Sequence, residues 1–352
     1  MVKVAALLEA LQQDLAELTP EGWTAALRAL PPGDQADARL TLKAPDGSRM
    51  VFLVEAKSRL EPSQVVLDLS SAKQRDPRLV VAPAVGPRSR ELLARNGTSW
   101  LEPGGDCRIA AGPILILREG GRRALTPSPA PQVTRFIRNP FAGAALRVVR
   151  RLLIDPDRAW TVTELSSATE ITIGFVSRIL ATLERDAYVS RRRGETRLKE
   201  YDDLLDAWTR APRPLQTTVE GVSLEKPGQV LDALASLGRN GYALTGEAAA
   251  EQLAPFARFN TVELYVPDFD GWQRQLQLTP VPVGANVRLI KSEDKGVFDG
   301  ILSRRGLQIV SLPQLYVDLK RREGVGSEAA AFLRQRFDKL RREFGVGGAA
   351  TS

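Results

Sequence analysis

A multidomain chain of mixed α/β and α+β class is predicted by three observations. Its 352 residues are enough for two or three domains. Residues 1–118 alternate short β-like runs with helical ones, while 140–210 read as helices followed by a basic hairpin, and 215–345 return to mixed helices and strands. Between the first two lies Arg118–Asn139, rich in Pro, Gly and Arg, which reads as a linker over 119–139. A second break at Ala211–Pro214 precedes the last unit, and the Gly-rich tail 346–352 is expected to be disordered.

The first domain opens with an amphipathic helix, Val4–Leu18, whose acidic Glu9 and Asp14 exclude a signal peptide. Strands follow at Trp23–Leu30 and Ala36–Ala44, then a turn at Pro45-Asp46-Gly47 and a strand at Met50–Lys57. A helix at Ser63–Lys73, a buried strand at Leu79–Ala82, a helix at Pro87–Arg95 and strands at Ser99–Leu101 and Arg108–Ile109 complete it. Asp37 then lies in the second strand and Glu55 and Lys57 in the third. The last two are two residues apart and so share one face. They close an otherwise apolar run, MVFLVEAK, where charge is unexpected. This D…ExK arrangement resembles the PD-(D/E)xK superfamily of restriction-endonuclease-like folds. The resemblance implies Asp37 and Glu55 as ligands of a magnesium ion and Lys57 as the residue that orients or activates water. Asp37 is not preceded by Pro, Asp34 competes for its role, and Glu9 is a candidate accessory acid.

In the central unit, Val162, Leu165, Ile173, Val176, Ile179, Leu180 and Leu183 recur at helical spacing and would pack a small trihelical core. Thr172 opens the second helix, whose outward face offers Thr172, Gly174, Ser177 and Arg178. A first turn of small residues lets a helix approach the major groove closely, with Arg178 the main base-reading candidate. The hairpin Val189–Leu198 carries Arg191, Arg192, Arg193 and Arg197 around Gly194, a wing suited to the phosphate backbone. Together these form a winged helix-turn-helix that binds double-stranded DNA, closed by the amphipathic helix Asp202–Arg210. Charge is local: residues 141–199 hold eleven Arg and Lys against seven Asp and Glu, and Glu200, Asp202, Asp203 and Asp206 then cancel the surplus.

The last unit predicts helices at Gly228–Leu237 and Thr245–Ala254, with Gly246 and Ala248–Ala250 allowing close packing. Strands follow at Thr261–Val266, Val287–Ile290 and Gln308–Leu312, then helices at Gln314–Lys320 and Glu328–Phe344. Tyr265, Tyr316 and Leu319 read as core, and Glu293, Asp294 and Asp299 as caps of turns around Gly296 and Gly300. The cations Lys320, Arg321, Arg322, Arg334, Arg336, Lys339, Arg341 and Arg342 read as a solvated face. Three segments, ALTGEAAAEQLAPFARFNTVELYVPD, GANVRLIKSEDKGVFDG and GLQIVSLPQLYVDLKRREGVGSEAAAFLRQRF, resemble the C-terminal domain of AbiEi-type antitoxins of type IV toxin–antitoxin systems. Upstream segments VVAPAVGPRSRELLARNGTSWLEPGGDCRI and NPFAGAALRVVRRLLIDPDRAWTVTELS resemble a longer, multidomain variant. The resemblance implies a bacterial transcriptional regulator with a cognate toxin partner; the central position of the winged helix departs from the short antitoxins.

Composition limits the chemistry. The absence of histidine excludes Ser-His-Asp and Cys-His catalysis and His-ligated zinc. A single cysteine excludes an internal disulfide and fits a cytoplasmic setting. No run approaches the roughly 18–20 apolar residues of a membrane span, and GGDCRIAAG and GVGSEAAA lack the Gly-Lys-Ser/Thr ending of a phosphate loop. The leading expectation is a sequence-specific DNA-binding regulator that needs no cofactor. The alternative is a magnesium-dependent endonuclease using Asp37, Glu55 and Lys57, with the winged helix for targeting. A homodimer on near-palindromic DNA is expected. The competing source of a second DNA contact is the linker's Arg118, Arg122, Arg123, Arg135 and Arg138, held extended by Pro127, Pro129 and Pro131.

Overall fold

The computed structural model describes residues 3–71, 77–112, 114–121, 125, 136–213, 216–238, 241–256 and 258–345. Most of the linker, including Arg122, Arg123, Arg135 and its three prolines, lies outside them, as does the tail 346–352. Two compact units result: Met1–Thr134 with Arg185–Ala187, and Arg135–Glu184 with Tyr188–Ser352.

The first unit runs α1 (Val4–Leu18), β1 (Thr24–Ala29), β2 (Ala38–Lys43), β3 (Arg49–Ala56), α2 (Pro62–Ser71), β4 (Arg78–Val81), α3 (Pro87–Arg95), β5 (Ser99–Leu101), β6 (Cys107–Ala111) and β7 (Ile114–Arg118). Its seven strands pair in sequence order, parallel across β3–β4–β5 and antiparallel elsewhere. The period of two sorts the side chains. Phe52, Val54, Ala56, Leu79, Val81 and Leu101 form one core with the Leu7, Leu11 and Leu15 stripe of α1. Val80, Ala82 and Trp100 pack with Val65, Leu92 and Leu93 from α2 and α3 on the other side. Glu55, one residue out of step with Val54 and Ala56, therefore faces the α2–α3 side.

Two details differ from the sequence reading. Ile114–Arg118 forms a seventh strand, and Arg118 is not a linker cation: its guanidinium bonds the buried Asp14 at 3.0 Å and the Gly105 carbonyl. The arginine expected to open the linker is thus an anchor for α1.

The second unit starts with α4 (Ala145–Ile154), β8 (Trp160–Thr161), α5 (Val162–Thr169), α6 (Ile173–Arg185), β9 (Val189–Arg192), β10 (Glu195–Leu198) and α7 (Tyr201–Arg210). It continues with β11 (Gln216–Val222), α8 (Pro227–Ser236), β12 (Ala243–Thr245), α9 (Gly246–Leu253), β13 (Val262–Tyr265), α10 (Phe269–Gln275), β14 (Thr279–Pro280), β15 (Val287–Ser292), a 3-10 turn at Lys295–Phe298, β16 (Leu302–Arg304) and β17 (Leu307–Ile309). The last helices are α11 (Leu312–Lys320), α12 (Val325–Arg334) and α13 (Phe337–Phe344). A three-stranded sheet, β8-β10-β9, carries the wing, and a seven-stranded mixed sheet, β14-β11-β15-β13-β12-β17-β16, forms the rest.

The winged helix at 140–210 and the region 215–345 share one hydrophobic core. Helix α11 is the reason. Leu312, Leu315, Tyr316, Val317 and Leu319 bury it nearly all round, and a helix apolar on every side must be enclosed. Its neighbours include α4, α7, α9 and α12. Polar contacts reinforce the join. Arg150 of α4, 3% exposed, donates to Gln314 Oε1 at 2.9 and 3.2 Å, and Gln314 donates to Asp318 at 2.9 Å. The single helix expected over Glu328–Phe344 breaks between α12 and α13, which turns Leu333, Phe337 and Leu340 all into the core.

Candidate nucleic-acid interface

The helix-turn-helix is built locally. Thr161 caps α5: its hydroxyl accepts from the Glu164 N–H at 3.1 Å while the Glu164 carboxylate accepts from the Thr161 N–H at 2.7 Å, a reciprocal capping box. Glu170 ends α5 in the left-handed region, and the Thr172 carbonyl accepts the first bonds of α6. Val176, Ile179, Leu180 and Leu183 turn inward. Thr172, Gly174 and Arg178 are exposed and Ser177 is half-buried, so the four predicted residues gather at the free start of α6. The Arg178 guanidinium lies 5.2 Å from the Phe175 ring centre, which orients it. Ile173, expected in the core, is instead 55% exposed; it lies one turn ahead of the first buried position, Val176, at the helix end. An exposed branched side chain there leaves an apolar surface beside the polar start of α6.

In the wing, Arg193 (φ 52°) and Gly194 (φ 84°) are both left-handed, the two-residue turn that matches strand twist. Register then splits the arginines. Arg192 opposes Glu195 and Ser190 opposes Arg197 on one face, whereas Arg191 opposes the buried Thr196 on the other. Ser190, Arg192, Arg193, Arg197 and Lys199 line one concavity of about 610 Å³. Arg191, on the other face of the hairpin, is half-buried and lies 3.9 Å from Glu184. Arg197 pairs with Glu195 at 3.3 Å, but among the described residues no acidic partner meets Arg192, Arg193 or Lys199. Lys199, one residue past the strand, escaped the sequence reading; the period of two from Arg197 was its signal.

The N-terminal cluster also assembles. The β2–β3 register, Ala38 to Val54, sets Asp37 opposite Glu55 when continued by one step. Asp34, Asp37, Glu55 and Lys57 line a cleft of about 310 Å³ with Asp68 of α2 and Arg78 of β4. Asp37 Oδ2 accepts from the Ala56 N–H at 2.8 Å. Glu55 is spanned by two cations, Arg78 at 2.9 Å and Lys57 at 3.2 Å, and Lys57 also meets Asp68 at 3.1 Å. Burial works to lower the Lys57 pKa, but the bonds and charges of Asp68 and Glu55 outweigh it and hold the ammonium above its ordinary range. Among the described residues no group of three or more Asp, Glu or Cys side chains is arranged to hold a metal. A carboxylate clasped by two cations does not fit the open two-carboxylate shell of a magnesium site. Glu9 is exposed on α1 and does not line the cleft.

The basic C-terminal run is a solvated face only in part: Lys320, Lys339 and Arg342 are exposed, whereas the others are drawn into contacts. Arg321 donates to the carbonyls of Trp208, Thr209 and Ala211 at the end of α7, Arg322 pairs with the buried Glu263, and Arg334 and Arg341 stack on Tyr201.

Comparison with known proteins adds one family. Residues 197–338 match the family described as "Transcriptional regulator, AbiEi antitoxin, Type IV TA system". That match starts in β10 and ends in α13, so it takes in less than half of the chain and leaves α4 to α6 and the first unit outside. Among solved structures, "Structure of EndoMS in apo form" aligns at 18% identity and a TM-score of 0.19, over 28% of this chain and 45% of that one, less than half of its length. No curated protein matches. No helix among the described residues is long and apolar enough to cross a membrane.

Proposed function

We propose that this protein is a transcriptional regulator of the antitoxin type that binds double-stranded DNA through its winged helix. The observation that carries the reading is the unpaired set Arg192, Arg193 and Lys199 on the outer face of the wing, in the same winged helix as the small, exposed first turn of α6. Unpaired, exposed cations neutralise phosphates, and a small helix start lets Arg178 reach base edges. The family matched at 197–338 supports the regulatory setting and extends the reading to a cognate toxin as a second partner. Two copies on a near-palindromic operator would supply the affinity that one short recognition helix lacks.

The reading is tested by fluorescence anisotropy on duplex DNA across a salt series. A logarithmic affinity that falls by about 2–4 units per decade of salt is expected for three or four neutralised phosphates. Binding that is absent, or insensitive to salt, would end it.

A further inference from the structure

The seven-stranded sheet of the second unit leaves part of one face open. Gln216, Thr218 and Glu220 of β11, with Arg288 and Ile290 of β15, project onto that face, next to Glu263 and Tyr265 of β13. The end of α11 supplies Asp318, Arg321 and Arg322, and Arg213 stands beside them, enclosing a cleft of about 350 Å³. That is the lower range of small-molecule sites. Its floor is built rather than incidental. Asp318 accepts from Thr245 at 2.7 Å, from Gln314 at 2.9 Å and from Tyr265 at 3.2 Å, and Gln216 donates to the Tyr265 hydroxyl at 3.1 Å. Gly246 is required there: a Cβ would lie 2.9 Å from Glu263 Oε2 and 3.0 Å from Arg322 Nη2.

The charges are unevenly matched. Arg288 is shared between Glu220 at 2.7 Å and Glu263 at 3.2 Å, and Glu263 also holds Arg322. Arg213 and Arg321 meet only backbone carbonyls; Arg213 donates to the Arg321 carbonyl itself at 2.7 Å. Both arginines line the same polar cleft, and among the described residues neither is bonded to a carboxylate. Desolvation holds the Asp318 carboxyl above the ordinary aspartate range.

We propose that this cleft binds a small oxyanion, a phosphate ester or a carboxylate, seated between Arg213 and Arg321, with Thr218 and Gln216 within the same face to take its remaining polar groups. Paired guanidinium forks suit either group. The site does not depend on DNA binding. Its floor is nonetheless joined to the winged helix through Asp318, Gln314 and Arg150.

The test uses the full chain in thermal unfolding at constant ionic strength, with chloride replaced by inorganic phosphate in one arm and by acetate in another. A saturable rise in Tm is expected in at least one arm, and the arm that saturates identifies the oxyanion. Arg213→Gln, an exposed change that leaves the floor intact, should weaken the apparent affinity at least tenfold. Arg192→Gln with Arg193→Gln, which alters only the wing, should leave it unchanged. Saturation in neither arm, an unchanged affinity in Arg213→Gln, or loss of the effect in the wing variant instead would each overturn the site.

Discussion

The wing and the N-terminal cleft are both crowded with charge, yet they hold it in opposite ways. In the cleft each cation has its anion: Arg78 and Lys57 flank Glu55, and Lys57 reaches Asp68 as well. In the wing, Arg192, Arg193 and Lys199 share a concavity whose single carboxylate, Glu195, is already taken by Arg197. A paired, half-buried cluster has offset its own desolvation and has little left for a ligand. Unpaired cations on an exposed hairpin repel one another, and an approaching polyanion relieves that repulsion. Pairing therefore separates the two regions more sharply than any count of charged residues.

The largest expected effect tests the wing. Arg192→Ala with Arg193→Ala removes two charge-assisted contacts and should cost about 3 kcal/mol of DNA affinity on specific and random duplexes alike. The salt slope should fall by about 1–2 units. If the slope holds, the unpaired arginines face something other than DNA.

Next comes the cleft. Glu55→Ala removes the carboxylate that Arg78 and Lys57 share, leaves Lys57 with Asp68, and should lower stability by about 2 kcal/mol in chemical denaturation. DNA affinity should not change. The same variant decides the endonuclease alternative. Nicking of supercoiled DNA in magnesium or manganese that disappears in Glu55→Ala would mean that the cluster opens in use, and the contrast with the wing would collapse.

A third, narrower effect belongs to α6, the helix proposed to read bases. Arg178→Ala should relax preference at one base pair by about 1–2 kcal/mol while binding to random DNA persists. Equal losses on both would place Arg178 on the backbone.

These regions differed in how much of them the sequence displayed. The residues of each cluster were legible because strand period and helix start are local properties: Glu55 and Lys57 by their spacing, Thr172 and Arg178 by their place in α6. Their partners were not. Arg78 reaches Glu55 from the neighbouring parallel strand, and Asp68 reaches Lys57 from α2, so both depend on strand order. The split between Arg191 and Arg192 has a related cause, since only the register with Thr196 shows that the two face opposite sides of the hairpin. The same limit applies to α11, whose apolar sequence showed a core helix but not which two regions it joins. Short or polar elements such as β11 and β14 carried too little pattern to stand out.

The smallest effect asks whether a paired charge inside the winged helix behaves like the cleft rather than like the wing. Glu164 accepts from the Thr161 N–H at 2.7 Å and from the Thr161 hydroxyl at 2.8 Å, with Arg158 at 2.9 Å. In that order of importance these lower its pKa from 4.5 to about 2. A depressed carboxylate contributes stability that is fully present above its unfolded value and fades as pH falls through the folded one. The loss should therefore run between 4.5 and about 2, and Glu164→Gln, which can still accept both bonds, should flatten that acid limb. Thr161→Val removes the cap itself and should cost about 1 kcal/mol at neutral pH. Neither change should alter the salt slope of DNA binding, because a carboxylate committed to a helix end lends its charge to the fold. An acid limb that persists in Glu164→Gln would assign it to other carboxylates, while a shifted salt slope would show that pairing alone does not decide which charges the DNA meets.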